Sequence, residues 1–225
     1  MGQTTSALWR ELLNTPGTER EYKFDIDGVI YGKDAEVSNS VESQLFEEFG
    51  IGNACCATLK LSLITDNIPR GATIKRYLRL VNGDMATEWI PKGVFFTNRR
   101  SCDGDYWEIE AYDAMRKADI VWNPDQSLEF PMTMPDAVNV FCQLMGVELD
   151  SRTTLNSSYT IDYPANDYTI RNELCFIAAA HGGNWIITDA GKLLLVPLLS
   201  MPTETNNLIT ERGIAITFGG VRILV

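Results

Sequence analysis

The sequence predicts an α+β fold that is mainly β, with an antiparallel β-barrel or sandwich followed by a smaller α+β unit. Three observations lead to this prediction. Between residues 21 and 113, apolar residues alternate with polar ones, which is the period of half-buried strands. The strand segments are short and separated by turn residues, as in small antiparallel barrels. After residue 113 the pattern changes to that of two amphipathic helices.

The bulk composition is that of a globular protein. The chain has 225 residues, enough for one large or two small domains, and 45% of them are hydrophobic. No apolar segment approaches the roughly 20 residues that a membrane span requires. The N-terminus lacks a basic-then-apolar signal peptide, so the sequence predicts folding in a cytoplasm.

Charge and cysteine usage exclude several classes of protein. The formal net charge is −11, from 30 acidic and 19 basic residues. Because nucleic-acid affinity comes largely from neutralising phosphates, specific DNA or RNA binding is not expected, whereas an acidic wall that DNA slides past is compatible with this charge. The five cysteines are odd in number and include no CxxC pair. They are expected to be reduced, mostly buried thiols and not a disulfide framework or a zinc site.

The first predicted elements are a short helix and a hairpin. SALWRELL (6–13) forms a helix with Ser6 as its N-cap. Trp9 is expected to pack on its own domain rather than to anchor a partner. Strand 21–26 is followed by Asp27-Gly28. A two-residue Asp-Gly link between β-prone segments is the strongest short signal of a hairpin.

Four further strands complete the predicted β unit. Each alternates apolar and polar residues, as half-buried strands do. Pro91 and Gly93 interrupt the third of them, which predicts an edge strand or a bulge. The four strands span residues 55–63, 72–81, 87–97 and 106–112.

Two helices and a short hairpin form the predicted α+β unit. The helices span 133–145 and 169–180, with Thr133 and Thr169 as N-caps. The remaining elements are a loop or weak strand at 150–163 and a pair of strands at 185–188 and 192–196.

The last residues predict another hairpin. GIAITFGGVRILV (213–225) alternates around Gly219-Gly220. Because an isolated two-stranded hairpin is marginal, we expect that these strands pair with an earlier sheet or that the natural protein continues.

The stretch DIDG (25–28) indicates a second possible function, that of an enzyme. It resembles the first motif of aspartate-nucleophile phosphatases of the haloacid dehalogenase type, which implies Asp25 as the nucleophile, Asp27 as the acid–base group and a magnesium ion. Such a nucleophile follows a buried, continuously apolar parallel strand, whereas strand 21–26 is charged and alternating. We therefore favour the hairpin and keep the phosphatase as the alternative. Looser resemblances to the later phosphatase motifs involve Thr65, Asp84 and Glu88.

Other polar residues are expected to be structural. His181, the only histidine, precedes two glycines at a helix end, where a polar residue commonly closes the last turn. Asp103, Asp105 and Glu108 lack the spacing of a twelve-residue calcium loop, so a solvated turn is expected there. The sequence therefore predicts no catalytic, cofactor-binding or metal site.

An ordered set of segments resembles the tail or baseplate hub proteins of tailed phages and prophages. The resemblance covers nearly all of residues 20–225. YTIRNELCFIAAAHGGNWIITDAGKLLLVPL (168–198) is similar to the middle domain of that family. The earlier segments are, in order, IGNACCATLKLSL (51–63), NIPRGATIKRYLRL (67–80), EWIPKGVFFTNRR (88–100) and EAYDAMRKAD (110–119).

The resemblance implies a non-enzymatic structural protein of the virion tail tip, assembled in the bacterial host cytoplasm. In such hubs three subunits, each with two tail-tube-like barrels, form a pseudo-sixfold ring. The ring joins the tail tube to the tip or spike, and DNA passes through its lumen. The implied division is an N-terminal helical arm (1–20), a tube-like β-barrel (21–118), a small α+β domain (119–200) and the start of a further β region, such as an incomplete second barrel (201–225).

Two further expectations concern surface residues. A glycan-binding β module using Trp89 or Trp107 is a second alternative, although both fall on alternating strand faces that are typical of a core. In a hub, some of the turn aspartates are expected on lumen or interface loops. These are Asp25, Asp27, Asp34, Asp103 and Asp105.

Overall fold

The computed structural model describes residues 5–43, 50–124, 128–163, 167–198, 217–218 and 221–222. Its main feature is an eight-stranded antiparallel sheet, followed in the chain by two longer helices and short strand pairs. The architecture is α+β and mainly β, as the sequence predicts. None of the described helices is long and apolar enough to cross a membrane.

The large sheet has an open strand order. From one end to the other the order is β2-β1-β5-β7-β8-β4-β3, with β6 beside β5. Within the described residues no backbone pairing joins β2 to β3, so the predicted closed barrel is not confirmed. The strands are β1 (Glu19–Ile26), β2 (Val29–Tyr31), β3 (Glu36–Ser43), β4 (Ala57–Ile64), β5 (Thr73–Asn82), β6 (Met85–Ala86), β7 (Ile90–Asp103) and β8 (Tyr106–Tyr112).

The predicted hairpin at DIDG is confirmed. Ile26 of β1 pairs with Val29 of β2, which leaves Asp27 and Gly28 as a two-residue turn. Both turn residues have positive φ, 49° and 92°. This is the backbone of a type I′ turn, which matches the twist of the flanking strands and favours Asp-Gly.

The concave side of the sheet buries the first core. The apolar positions of 55–63 face the core as predicted, since Leu59, Leu61 and Leu63 are all buried. Their partners come from four other strands and from the loop before β5. They are Phe24, Ile26, Ile68, Ala72, Ile74, Phe95, Trp107, Ile109 and Ala111.

Strand β7 is central, so the predicted edge position of Pro91 and Gly93 is wrong and the predicted bulge is right. The register between β5 and β7 shifts between Lys75 and Tyr77, opposite these residues. Gly93 has a φ of 121°, and a Cβ there would lie 2.5 Å from the ring of Phe95. A glycine at the bulge therefore leaves room for the ring of Phe95, which lies two residues further along the same strand.

The second unit is built on α2 (Met134–Met145) and α3 (Ile170–Ala180). Thr133 and Thr169 accept hydrogen bonds as N-caps, and Gly146 ends α2 with a φ of 63°. The apolar faces of both helices share a second core with Met115, Trp122 and Trp185. The accompanying elements are a 3-10 helix (Ala114–Ala118) and the strands β9 (Met132–Thr133), β10 (Thr160–Ile161), β11 (Gly183–Ile187) and β12 (Leu193–Pro197).

The N-terminal helix α1 (Ala7–Leu13) is docked on the sheet. Trp9 and Leu12 are buried against Leu80 of β5 and Ile90 of β7. Trp9 therefore packs on its own chain, as expected. Isolated helices this short are marginal in water, so the tertiary contact stabilises α1.

At the other end of the described residues, β13 (Thr217–Phe218) pairs with β14 (Val221–Arg222) as the C-terminal hairpin prediction requires. The predicted turn residues, Gly219 and Gly220, lie outside the described residues.

Candidate interaction surface

The aspartates of the DIDG stretch stabilise their own turn. One carboxylate oxygen of Asp25 accepts the backbone N–H of Gly28 at 2.8 Å. One oxygen of Asp27 accepts the N–H of Thr73 on the neighbouring strand at 3.0 Å. Both side chains thus act as turn acceptors of the kind that favours Asp in hairpins. The other three aspartates expected at a lumen or interface are exposed in or beside turns: Asp34, Asp103 and Asp105.

The residues of the phosphatase alternative are not assembled. Asp25 lies opposite Lys75, whereas Asp84 lies in the turn after β5, beyond the pair Val81–Glu19. Val81 follows Lys75 by six positions along β5, which is about 20 Å of extended strand. A metal ion bridging Asp25 and Asp84 is incompatible with this spacing. Within the described residues no group of three or more His, Cys, Asp or Glu side chains is arranged to hold a metal ion.

The remaining two residues of that alternative have structural contacts. Both carboxylate oxygens of Glu88 accept hydrogen bonds from Ser6, one from its backbone N–H at 2.9 Å and one from its hydroxyl at 2.8 Å. These bonds lower the pKa of Glu88 and tie the start of α1 to the sheet. Thr65 follows β4, where its N–H donates to the carbonyl of Asp105.

His181 closes helix α3 and fixes the loop beside it. Its Nδ1 lies 2.8 Å from the carbonyl oxygen of Ile177. Its Nε2 accepts the backbone N–H of Asn156 at 2.9 Å. An imidazole that accepts at Nε2 donates from Nδ1, so both ring nitrogens have structural partners. The expected structural role of His181 agrees with this geometry.

The tryptophans of the glycan-binding alternative are covered. Trp107 is buried, and its indole N–H donates to the carbonyl of Thr65 at 3.0 Å. The ring of Trp89 is half-buried under two cations, Lys23 at 4.7 Å and Arg79 at 4.6 Å from its centroid. The burial of Trp107 and the cations over Trp89 both disfavour stacking of a sugar on these rings.

A junction around Arg171 joins the sheet to the helical unit. From the first turn of α3, Arg171 donates to the carbonyl of Ala54 at 2.9 Å and to that of Met115 at 3.1 Å. Its Nε also donates to Asp119. Partial burial opposes ionisation of Asp119, but the hydrogen bonds from Arg171 and Arg116 outweigh it and lower the pKa of Asp119. One guanidinium therefore holds three chain segments together.

Asp113 holds the same junction from the sheet side. Its carboxylate accepts the N–H of Ala57 at 2.8 Å and that of Met115 at 2.9 Å. The thiol of Cys56 also lies 3.3 Å from this carboxylate. Burial raises the pKa of Asp113, and the two backbone donors partly offset that effect. Asp113 thus caps the 3-10 helix where the chain leaves β8.

The cysteines are free thiols, and two of them, Cys55 and Cys142, are buried, which is fewer than the sequence predicts. Burial raises the pKa of Cys56 to about 12 and that of Cys142 to about 11. It also raises the pKa of Cys55 and Cys175, whereas Cys102 is exposed on β7. Thiols with raised pKa values are poor nucleophiles and poor metal ligands at neutral pH.

Strand β3 presents the longest free edge of the sheet. It has eight residues and pairs only with β4 within the described residues. Its apolar side chains Val37 and Val41 are 51% and 38% exposed. Unpaired N–H and C=O groups along such an edge are a template for pairing with another chain. The sequence pattern does not predict this strand, because EVSNSVES (36–43) is mostly polar.

The fold is similar to those of tail proteins of known structure. The 43 kDa tail protein of prophage MuSo2 from Shewanella oneidensis has a TM-score of 0.54 at 13% identity, covering 78% of this chain and 54% of that chain. A tail protein from Neisseria meningitidis MC58 has a TM-score of 0.50 at 12% identity, with coverages of 88% and 58%. A Francisella PdpA–VgrG complex has a TM-score of 0.49 at 8% identity, with coverages of 86% and 35%.

The likeness concerns the fold. The chain spans a little over half the length of each of the two tail proteins. No protein-family model matches the chain, and no curated protein sequence matches it. The architecture seen here, a large antiparallel sheet followed by a small α+β unit, is therefore shared with tail proteins despite a sequence identity of 12–13%.

Proposed function

We propose that this chain is a non-enzymatic structural component of a phage or prophage tail, positioned at the tail tip or baseplate hub. The observation that carries the proposal is the fold shared with a prophage tail protein over 78% of this chain and with a second tail protein over 88% of it. The geometry agrees with a structural role, because Asp25, Asp27 and His181 hold turns and loops and the thiols Cys55 and Cys142 are buried.

In this proposal the curved sheet completes a tube-like barrel in the assembly, and three copies form a ring. The free edge of β3 supports it, because a symmetric heterologous contact buries such an edge against the neighbouring copy. The ring would join the tail tube to tip or spike proteins. Residues 21–118 would supply the barrel and residues 119–200 the small α+β domain.

The charge of the chain suits a conduit for DNA. With a net charge of −11, a lumen lined by this protein would not hold DNA through release of counterions. DNA would therefore pass through without binding specifically. The turn aspartates Asp25, Asp27 and Asp34 are proposed to lie on lumen or interface loops.

Negative-stain electron microscopy of the purified chain, combined with its native mass, tests the proposal. We expect particles with threefold symmetry and a central hole, and a native mass three times that of the chain. A protein that remains monomeric at every concentration would contradict the ring. Magnesium-dependent hydrolysis of a phosphate ester that is lost in Asp25→Asn would instead establish the phosphatase.

A further inference from the structure

Three arginines line one hollow at an end of the large sheet. Arg70 comes from the loop before β5, and Arg99 and Arg100 come from β7. Together with Gly71 and Asn98 they line a solvent-open hollow of about 440 Å³. We call this feature the arginine hollow. It concentrates positive charge on a chain whose net charge is −11.

A β-bulge brings the arginines together. The register between β7 and β8 shifts between Thr97 and Arg99, which makes Asn98 the extra residue. Bulges re-aim the side chains that follow them. The loop side is fixed to the same strand, because the N–H and the hydroxyl of Thr97 both donate to the carbonyl of Ala72 at 3.0 Å.

The hollow has one fixed cation and two open ones. Arg100 donates to the carbonyl of Ile68, and its guanidinium lies 5.2 Å from the ring centroid of Trp107. Arg70 and Arg99 are exposed. Within the described residues none of the three arginines is within ion-pair distance of a carboxylate. The carboxylate opposite Arg99 on β8 is that of Glu110, and it accepts the hydroxyl of Tyr112 at 2.9 Å instead of pairing with an arginine.

The β7–β8 hairpin also carries the complementary charge. Its turn, Asp103-Gly104-Asp105, and the following Glu108 place three exposed carboxylates at the hairpin end. We call these the acidic tip. None of these carboxylates has an ion-pair partner within the described part of the chain. Asp103 follows Arg99 by four positions, which is about 13 Å along a strand. The stiffness of the hairpin keeps Asp103 and Asp105 away from the hollow within one copy, whereas Glu108 pairs with Ser101, two residues from Arg99.

We infer that the acidic tip of one copy docks into the arginine hollow of the next copy. Guanidinium groups bind carboxylates through paired N–H···O bonds, so three arginines fit a tip with three carboxylates. A contact between two different patches is heterologous, and repetition of such a contact closes a ring when the rotation permits. The inference rests on the proposed self-association and names the contact that would carry it.

Protein carboxylates fit the hollow better than the backbone of DNA does. The same hairpin carries four acidic side chains, at Asp103, Asp105, Glu108 and Glu110. A long polyanion that followed the hairpin would be repelled by them, whereas a short acidic turn contacts only the hollow. The experiment must therefore distinguish docking of an acidic tip in the hollow from binding of double-stranded DNA there.

Charge reversal with rescue tests the inference. The hollow variant is Arg70→Glu/Arg99→Glu, the tip variant is Asp103→Arg/Asp105→Arg, and the rescue variant combines all four changes. Arg100 is left intact because it packs on Trp107. The control Arg10→Glu/Arg20→Glu reverses two exposed arginines elsewhere and changes the net charge equally. Circular dichroism checks that each variant is folded.

Association is measured by sedimentation velocity at low salt. We expect each single-patch variant to weaken self-association at least about tenfold, since each reversal turns attraction into like-charge repulsion. The rescue variant should regain most of the lost affinity, and the control should resemble the wild type. High salt should weaken wild-type association, because exposed charges are screened.

The results that would overturn this inference differ from those that would overturn the proposed ring. A folded hollow variant that associates like the wild type, or a folded rescue variant that stays dissociated, overturns this inference while the ring survives. A wild-type chain that never associates overturns both. Fluorescence anisotropy with a short labelled DNA duplex completes the test. Binding that the hollow variant loses, with self-association unchanged, would assign the hollow to DNA and overturn the inference.

Discussion

Arg76 joins two strands that the hydrogen-bonded order of the sheet places far apart. Its Nε and Nη2 donate to Oδ1 of Asn39 at 3.0 and 2.7 Å. Arg76 lies on β5 and Asn39 on β3, and β7, β8 and β4 separate these strands in the order. The ring centroid of Tyr22 lies 4.4 Å from the same guanidinium. The sheet therefore curls until side chains connect regions that no backbone pair connects.

Replacing Arg76 with methionine should loosen β3. The change removes both hydrogen bonds to Asn39 and should lower the free energy of unfolding by about 1–3 kcal/mol, the usual range for a bond to a charged group. Hydrogen–deuterium exchange followed by mass spectrometry should show faster exchange in β3 than in β8. Lys75→Met, at the exposed neighbouring position, is the matched control. Unchanged exchange in β3 would show that pairing with β4 alone holds it.

The junction at Arg171 should contribute more to stability. Arg171→Met removes the donors to two carbonyl groups, those of Ala54 and Met115, and leaves Asp119 without its buried partner. We expect a loss of about 3 kcal/mol, because truncation of one partner of a partly buried charge pair exposes the cost of desolvating the other. Urea denaturation followed by tryptophan fluorescence measures this loss.

Arg20→Met is the control for that experiment, because Arg20 is exposed on β1. It should shift the urea midpoint little, as surface substitutions generally do. Equal effects of the two substitutions would mean that Arg171 acts as an ordinary surface arginine and that the junction does not join the two units energetically.

The sequence predicts the elements whose signals are local. Thr133 and Thr169 cap helices because a side-chain oxygen meets an N–H three residues away. The Asp27-Gly28 turn follows from two positive φ angles. The sequence does not predict strand β3, because this segment has no apolar alternation and its extended conformation depends on pairing with β4. These residues form a strand because β4 pairs with them.

The interaction surface is harder to predict for the same reason. Arg171 binds partners that are 52 and 117 residues away in the chain, Asp119 and Ala54. No spacing rule relates such positions. Arg70 and Arg99 line the same hollow only because the β4–β5 loop lies beside the bulge in β7. Asp103 and Asp105 lie in the solvated turn that the sequence predicts, whereas the hollow at the base of their hairpin has no sequence signal.

Alkylation should distinguish the exposed thiol from the others. Cys102 is exposed, whereas burial raises the pKa of Cys56 to about 12 and that of Cys142 to about 11. Because the thiolate is the nucleophile, iodoacetamide at mildly alkaline pH should modify Cys102 at least about tenfold faster than either of them. Peptide mass spectrometry gives the rates. Cys102→Ser should leave the folded protein nearly unmodified, and fast labelling of Cys56 in that variant would contradict the burial.

The ion pair of Asp150 and Arg152 should make stability depend on acid pH. Hydrogen bonds from the side chain and the backbone N–H of Arg152 lower the pKa of Asp150 from its ordinary value of 3.8 to about 2. Since the folded pKa is the lower one, the contribution is fully present above the unfolded value and is lost as pH falls through about 2.

The corresponding measurement compares the wild type with Asp150→Asn by urea denaturation across this acid range. The difference in unfolding free energy should be constant at higher pH and should shrink as the pH falls from about 4 towards 2. Arg152→Gln, which removes the guanidinium but keeps the backbone N–H donor, should give a pH-dependent difference of the same sign and smaller size. A difference that stays constant down to the lowest pH would show that Arg152 does not hold the carboxylate of Asp150 ionised.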